Sequence, residues 1–202
     1  MGMAQAERTA EQTRELILAT AEVHLRRYGY ARTTISEIAR ACKMSHANVY
    51  RFFKTKADVM DAVVERWFSG IEQALRDCAQ QPGSASDRLQ AYVLELYRLK
   101  RDKLAAEPEL FDAYLAILEA DRTVVEHHLQ VLSSILNEIL TCGVKTGEFQ
   151  ITDLSLATEA VSAATLKFHH PLMIRESADQ PMEKQAIAVV QLLTAALATR
   201  KI

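Results

Sequence analysis

The chain has 202 residues, 49% of them hydrophobic and only 6 Gly and 4 Pro, so it is long enough to bury a real core, and its composition favours long helices over turn-rich β structure. The net charge of −2 would argue against a nucleic-acid partner if charge were evenly spread, but of the 24 Lys/Arg and 26 Asp/Glu, 10 and 6 lie within residues 1–60, which leaves 14 and 20 beyond. The three scattered cysteines, Cys42, Cys78 and Cys142, exclude a disulfide framework and a zinc-finger spacing, and no run approaches the roughly 18 apolar residues of a membrane span. The N-terminal segment MGMAQAERTAEQTR lacks an apolar h-region, so a reducing cytoplasm and no membrane association are expected.

In chain order, Thr9 with Gln12 forms a capping box and predicts a first helix with the apolar face Ile17, Ala21, Val23–His24 and Tyr28, stopped by Gly29. Thr34 with Glu37 repeats the box for a second helix over about residues 35–42, with Ile38 and Ala39 inward. Lys43 and Met44 make a turn, Ser45 caps a third helix over His46–Phe52, and Thr55 with Asp58 caps a long fourth from Lys56 to about Gln80. The stretch QPGSAS at 81–86 is the clearest interruption. Ser86 or Asp87 begins a fifth helix through about Ala105, and Pro108 suits the first turn of a sixth, where Phe111, Tyr114, Leu115 and Leu118 recur at helical spacing. A seventh helix is expected from about Arg122 to Cys142, with Gly143 and Gly147 marking its stop. Thr152 or Asp153 caps an eighth that ends before Pro171, and a ninth runs from about Met182 to Arg200. The expected fold class is all-α, with about nine helices: a three-helix head at 1–57 and a larger helical bundle at 58–202.

Residues 35–52 have the spacing of a helix-turn-helix, in which the first helix braces across the DNA backbone and the second presents its N-terminal residues to the major groove. Spacing alone fits a plain helical hairpin equally well. The segment Thr33 to Val59, TTISEIARACKMSHANVYRFFKTKADV, carries more: Thr33, Thr34, Ile38, Ala39, Ser45, Tyr50, Phe52, Phe53 and Lys56 resemble, in order and spacing, the DNA-binding domain of the tetracycline repressor (TetR) family of bacterial regulators.

That resemblance implies a sequence-specific regulator, commonly a repressor, on a double-stranded DNA operator. Phosphate contacts are then expected from Thr33, Thr34, Ser45, Tyr50, Lys54 and Lys56, and base contacts from His46, Ala47, Asn48 and Arg51, since Asn pairs with adenine, Arg with guanine and the Ala methyl with thymine. Two positions depart from the family pattern. Lys43 stands in the turn where glycine supplies a left-handed backbone, and Ala47 replaces a common glycine in the reading helix. Cys42, where alanine is usual, reads as packing.

The resemblance also implies a C-terminal domain that binds a small-molecule effector and dimerises through its last two long helices. Ala157, Ala160, Val161, Ala164 and Phe168 on the eighth helix, with Ile187, Val190, Leu193, Thr194 and Leu197 on the ninth, suit a homodimer interface or an intramolecular core. A dimer places two reading heads on a palindrome, half-sites roughly 34–36 Å apart or a multiple. Effector-pocket candidates are Trp67, Tyr97, Phe111, Tyr114, Leu118, His128, Leu132 and Phe168, large apolar groups with occasional polar tips. His128 lies on the inward stripe Val125, His128, Leu132, Ile135, Ile139 and needs a hydrogen-bond partner there, from the protein or from a ligand.

The alternatives are a metal- or redox-responsive regulator, a helical enzyme, and an adaptor that no longer binds DNA. The pairs His127–His128 and His169–His170 suggest metal, but adjacent helical residues diverge and no further ligand follows at three or four residues. No nucleophile–base motif, Gly-rich phosphate loop or HExxH is present, so neither catalysis nor a cofactor or metal is expected.

Overall fold

The computed structural model describes residues 9–120 and 123–199, and among them every regular element is helical. In order these are α1 (Ala10–Arg32), α2 (Ile35–Ala41), α3 (His46–Tyr50), α4 (Lys56–Gln80), α5 (Ala85–Ala106), α6 (Pro108–Glu119), α7 (Thr123–Thr146), α8 (Leu154–Thr165), α9 (Pro171–Glu176) and α10 (Glu183–Thr199), with a 3-10 turn at Leu166–Phe168. The expected start at Arg122 and end at Arg200 lie outside the described residues. None of these helices is long and apolar enough to cross a membrane.

The helix starts follow from local chemistry. Thr9 and Thr34 each accept from the third helical amide while Gln12 and Glu37 reach back to the cap amide. Thr55 and Asp58 make the same reciprocal pair at the head of α4, at 3.0 and 3.1 Å. Each box satisfies two of the donors that a first turn leaves unpaired. At α5 the cap is Ser84, paired with Asp87, rather than Ser86 or Asp87. Glu148 then takes the Ala85 and Ser86 amides at 2.6 and 2.8 Å. Asp153 caps α8 by accepting from the Leu156 amide.

The third helix ends at Tyr50 rather than Phe52, and three further boundaries differ from expectation. Gly29 kinks α1 (φ 76°, ψ 172°) without ending it, and the helix continues to Arg32. Gly143 is interior to α7; glycine is needed there because a Cβ would run into the Phe149 ring, and only Gly147, at φ 77°, marks the stop. The eighth helix ends at Thr165, and Pro171 opens the short α9 that periodicity did not separate.

Two compact units divide the chain. The first contains the residues to Arg66 and those of α6, which packs on α1; α1 also packs on α2, and α2 on α3. Its core joins Ile17, Ala21 and Leu25 to Ile38, Val49, Met60 and Phe111. Val23 and Tyr28, expected on the inward face of α1, are exposed, because the buried stripe advances from Ala21 to Leu25. The second unit contains the residues from Trp67 to Ala106 and those from Thr123 onward. In it α5 packs against α7, α9 and α10, and α8 touches both α7 and α10. Its core includes Phe68, Leu89, Tyr97, Ile135, Leu140 and Val161, each contributing about 1.5–3 kcal/mol by leaving water. Residues of α4 to Arg66 belong to the first unit and those from Trp67 to the second.

Candidate nucleic-acid interface and effector site

The turn between α2 and α3 is closed by two backbone bonds, Met44 N–H to the Ala39 carbonyl at 2.9 Å and Lys43 N–H to the Arg40 carbonyl at 3.1 Å. This 6→1 and 5→2 pair is a Schellman motif, which requires a left-handed residue at its fifth position. Lys43 occupies that position with φ 54°, the only positive-φ non-glycine among the described residues. Ser45 then caps α3 by accepting from the Asn48 amide at 3.2 Å, and buried Val49 fixes which side of α3 faces inward.

The opposite side is outward. Lys43, Ser45, Ala47 and Arg51 are exposed and, with Met44 and half-buried Asn48, line one shallow concavity; His46 is exposed beside it. Tyr50, 50% exposed, and Lys54, also exposed, continue this surface in sequence. A phenol, two hydroxyl or amide side chains and three cationic groups therefore reach solvent from the turn, α3 and the four residues that follow it. Lys43 was absent from the expected contact set. The signal available was its place in the turn between α2 and α3, two residues before Ser45.

Two expected phosphate contacts are corrected. Thr33 is 0% exposed, and its hydroxyl donates to the Gly29 carbonyl at 2.9 Å, so it closes α1 and cannot reach a phosphate. Lys56 Nζ donates to the Tyr30 and Ala31 carbonyls at 2.5 and 3.5 Å and lies 4.4 Å from the centre of the Tyr30 ring. Burial holds its ammonium below the ordinary lysine range. Thr34 is exposed, but its hydroxyl is engaged with Glu37, donating to the carboxylate at 3.0 Å and accepting from the amide at 3.2 Å. Cys42 is buried, with its thiol 3.2 Å from the Thr20 hydroxyl, as expected of packing.

The pocket candidates are divided between the two units. Phe111, Tyr114 and Leu118 belong to α6 in the first unit, where the two aromatic rings are core side chains. Trp67, Tyr97, His128, Leu132 and Phe168 belong to the second. There Tyr97 accepts from the Met182 amide at 3.1 Å, and Lys103 lies 5.8 Å from the Trp67 ring centre. Leu132 lines a groove of about 340 Å³ with Tyr92, Leu129, Leu136, Leu166 and His169.

His128 is the most constrained of these groups. It is 1% exposed, its Nδ1 lies 2.9 Å from the Glu72 carboxylate, and its ring stacks on Phe68 at 3.8 Å and 5°. Burial, reinforced by Lys100, holds the imidazole far below its ordinary range. Lys100 is 1% exposed, donates to the His169 carbonyl at 3.1 Å and is lowered by burial to about 7. His127 points to solvent while His128 is buried, so the first histidine pair does not converge. Among the described residues no three His, Cys, Asp or Glu side chains gather as a metal site.

The proposed dimer stripe is corrected in part. Ala157, Val161, Phe168, Val190 and Leu197 are buried within the chain's own second unit, and Ile187, Leu193 and Thr194 are half-buried. Ala160 and Ala164 are exposed. With them, α8 exposes Leu156 (53%) and Ala163, and α10 exposes Leu192 (73%), Ala195 and Ala196. Both helices are apolar on more than one face, so periodicity alone could not tell which face the chain covers itself.

The family profile described as bacterial regulatory proteins, tetR family, matches residues 17–63, and the profile described as tetracyclin repressor-like, C-terminal domain, matches residues 85–190. The fatty acid metabolism regulator protein of Bacillus subtilis (strain 168) is 20% identical over 152 residues, covering 73% of this chain and 76% of that protein. Among solved structures, a protein with unknown function from Rhodococcus sp. RHA1 superposes with a TM-score of 0.73 at 20% identity, covering 98% of this chain and 100% of that one. The transcriptional regulator FadR from Bacillus subtilis, in complex with stearoyl-CoA, gives 0.62 at 19% identity, with coverages of 92% and 97%. These superpositions establish the shared fold.

Proposed function

The chain belongs to the tetR family of bacterial regulatory proteins, and we propose that it is a cytoplasmic homodimeric repressor, released from a palindromic operator when a small molecule binds its C-terminal domain. The observation that carries this reading is the outward surface of α3. His46, Ala47, Asn48 and Arg51 are the base readers, and Lys43, Ser45, Tyr50 and Lys54 hold the phosphates, with Thr34 contributing its exposed edge. Residues 1–57 are the DNA-binding domain and 58–202 the effector-binding and dimerisation domain.

The dimer forms through the exposed apolar face of α8 and α10, with Leu156, Ala160, Ala163, Ala164, Leu192, Ala195 and Ala196 in the seam. Small residues let helices approach closely, and two leucines this exposed gain from being covered. The effector lies within the second unit, beside Trp67, Tyr97, His128 and Leu132. A relative of the same fold holding stearoyl-CoA supports a ligand in this architecture.

The test is a gel shift and footprint on the promoter DNA flanking the protein's own gene. Two protected half-sites, roughly 34–36 Å apart or a multiple, are expected. No retarded complex at low salt, with folded protein, would overturn the reading.

A further inference from the structure

Three helices bring polar groups into the interior of the second unit, Glu72 from α4, Lys100 from α5 and His128 from α7, with half-buried His169 just after the 3-10 turn. In this cluster the imidazole of His128 is half satisfied. Its Nδ1 is bonded to Glu72, while its Nε2 is fully enclosed and has no hydrogen-bond partner. We infer that His128 Nε2 is the polar anchor of the effector, and that the effector carries an uncharged hydrogen-bond donor, a hydroxyl or amide N–H, on an otherwise apolar body. This rests on the reading of the second unit as effector-binding.

The tautomer sets the chemistry. The Glu72 carboxylate only accepts, so the proton between the two groups belongs to Nδ1, and Nε2 presents a lone pair. The near-parallel stack on Phe68 fixes the ring plane, so the lone pair cannot turn to seek another donor. Folded interiors seldom leave an enclosed acceptor unpaired, and one that is unpaired calls for a water or a ligand.

Charge narrows the partner. An anionic group would need an N–H on Nε2, and therefore an imidazolium, which both burial and the nearby Lys100 oppose. A ligand ammonium would enter the same interior as the Lys100 ammonium, whose burial already works against its charge. A metal ion would find too few ligands, since among the described residues no three His, Cys, Asp or Glu side chains gather. A neutral donor remains, and the buried Phe68 ring stacked on His128 suits an apolar remainder. Glu72 is a positioning residue here, acting through the tautomer it imposes.

The experiment uses the full-length protein with ¹⁵N-labelled histidine and a panel of matched probes: 1-decanol against 1-methoxydecane, N-methyldecanamide against N,N-dimethyldecanamide, and decanoate and decylammonium. Binding is read from the His128 Nε2 resonance and from thermal shift. The alcohol and the secondary amide should move Nε2 toward the hydrogen-bonded range and bind at least tenfold tighter than their methylated partners. Substitution His128→Phe should abolish that preference. His128→Gln, which keeps an acceptor, should restore part of it, and circular dichroism with operator binding will verify that both variants fold. Glu72→Gln, which allows the other tautomer, should shift preference toward the ether and the tertiary amide.

Equal binding of a donor and its methylated partner, preference for the carboxylate or the ammonium, or an Nε2 resonance that no probe moves would each overturn the inference; in the last case a resident water holds the site. Operator release is followed in parallel. A probe that releases DNA without touching Nε2 overturns this inference and leaves the regulator standing. A donor probe that engages Nε2 without releasing DNA supports the site and counts against effector control.

Discussion

Lys56 Nζ sits 2.5 Å from the Tyr30 carbonyl and 4.4 Å from the centre of the Tyr30 ring, so the first residue of α4 is tied to the end of α1. A side chain turned to this task is unavailable to a phosphate. Lys56→Met should therefore destabilise the protein by about 1–2 kcal/mol, the loss of a charge-assisted bond to a half-buried carbonyl, and leave the salt dependence of operator binding unchanged. Lys54→Ala should do the reverse, lowering the slope of log K against log salt by about one contact without altering stability. Thermal melts paired with binding across a salt series decide between them; a flatter slope in Lys56→Met at unchanged melting temperature would refute the assignment.

Lys43 holds φ 54° because the Schellman turn demands it, at a cost of about 1 kcal/mol for a side-chain-bearing residue. Lys43→Gly should raise the melting temperature by about 2–4 °C for a chain of this size. The same change removes a cation from the rim of the reading surface, so operator affinity should fall while stability rises. A lowered melting temperature would show that Lys43 is not strained.

Leu192 is 73% exposed on α10, whereas Val190, two residues earlier, is buried. Leu192→Glu should yield folded monomers in sedimentation experiments, and Ala160→Glu on α8 should do the same. Val190→Glu should instead unfold the chain, since it buries an unpaired charge. A dimer that survives Leu192→Glu would move the interface elsewhere.

Lys100 titrates near 7 in the folded protein because of burial, against 10.5 for an unhindered lysine. Between those values the unfolded chain binds the extra proton, so stability should rise with pH, by at most about 1.4 kcal/mol per unit from this group. Below 7 both states are protonated and Lys100 contributes no slope. Urea unfolding from pH 6 to 10 should show that rise in the native sequence and a flatter profile in Lys100→Met; identical profiles would mean that the ammonium is not desolvated.

The all-α class, the helix starts at Thr9, Thr34, Ser45 and Thr55, and the helix-turn-helix were legible from residue order, because a cap and its partner amide lie three residues apart and an apolar stripe repeats within a few turns. Even the left-handed turn at Lys43 could be anticipated, since Schellman geometry is local. The rest depended on groups remote in the chain. Glycine at 143 answers to the ring of Phe149, Thr33 and Lys56 are engaged at the end of α1, and His128 finds its hydrogen-bond partner in Glu72, 56 positions away. Periodicity marks a face as apolar but not what will cover it, so Val161 and Val190 proved to be core while Leu156 and Leu192 were left outside. Hydrogen-bonded caps are short-range and directional, whereas burial is non-directional and is settled only when distant segments meet.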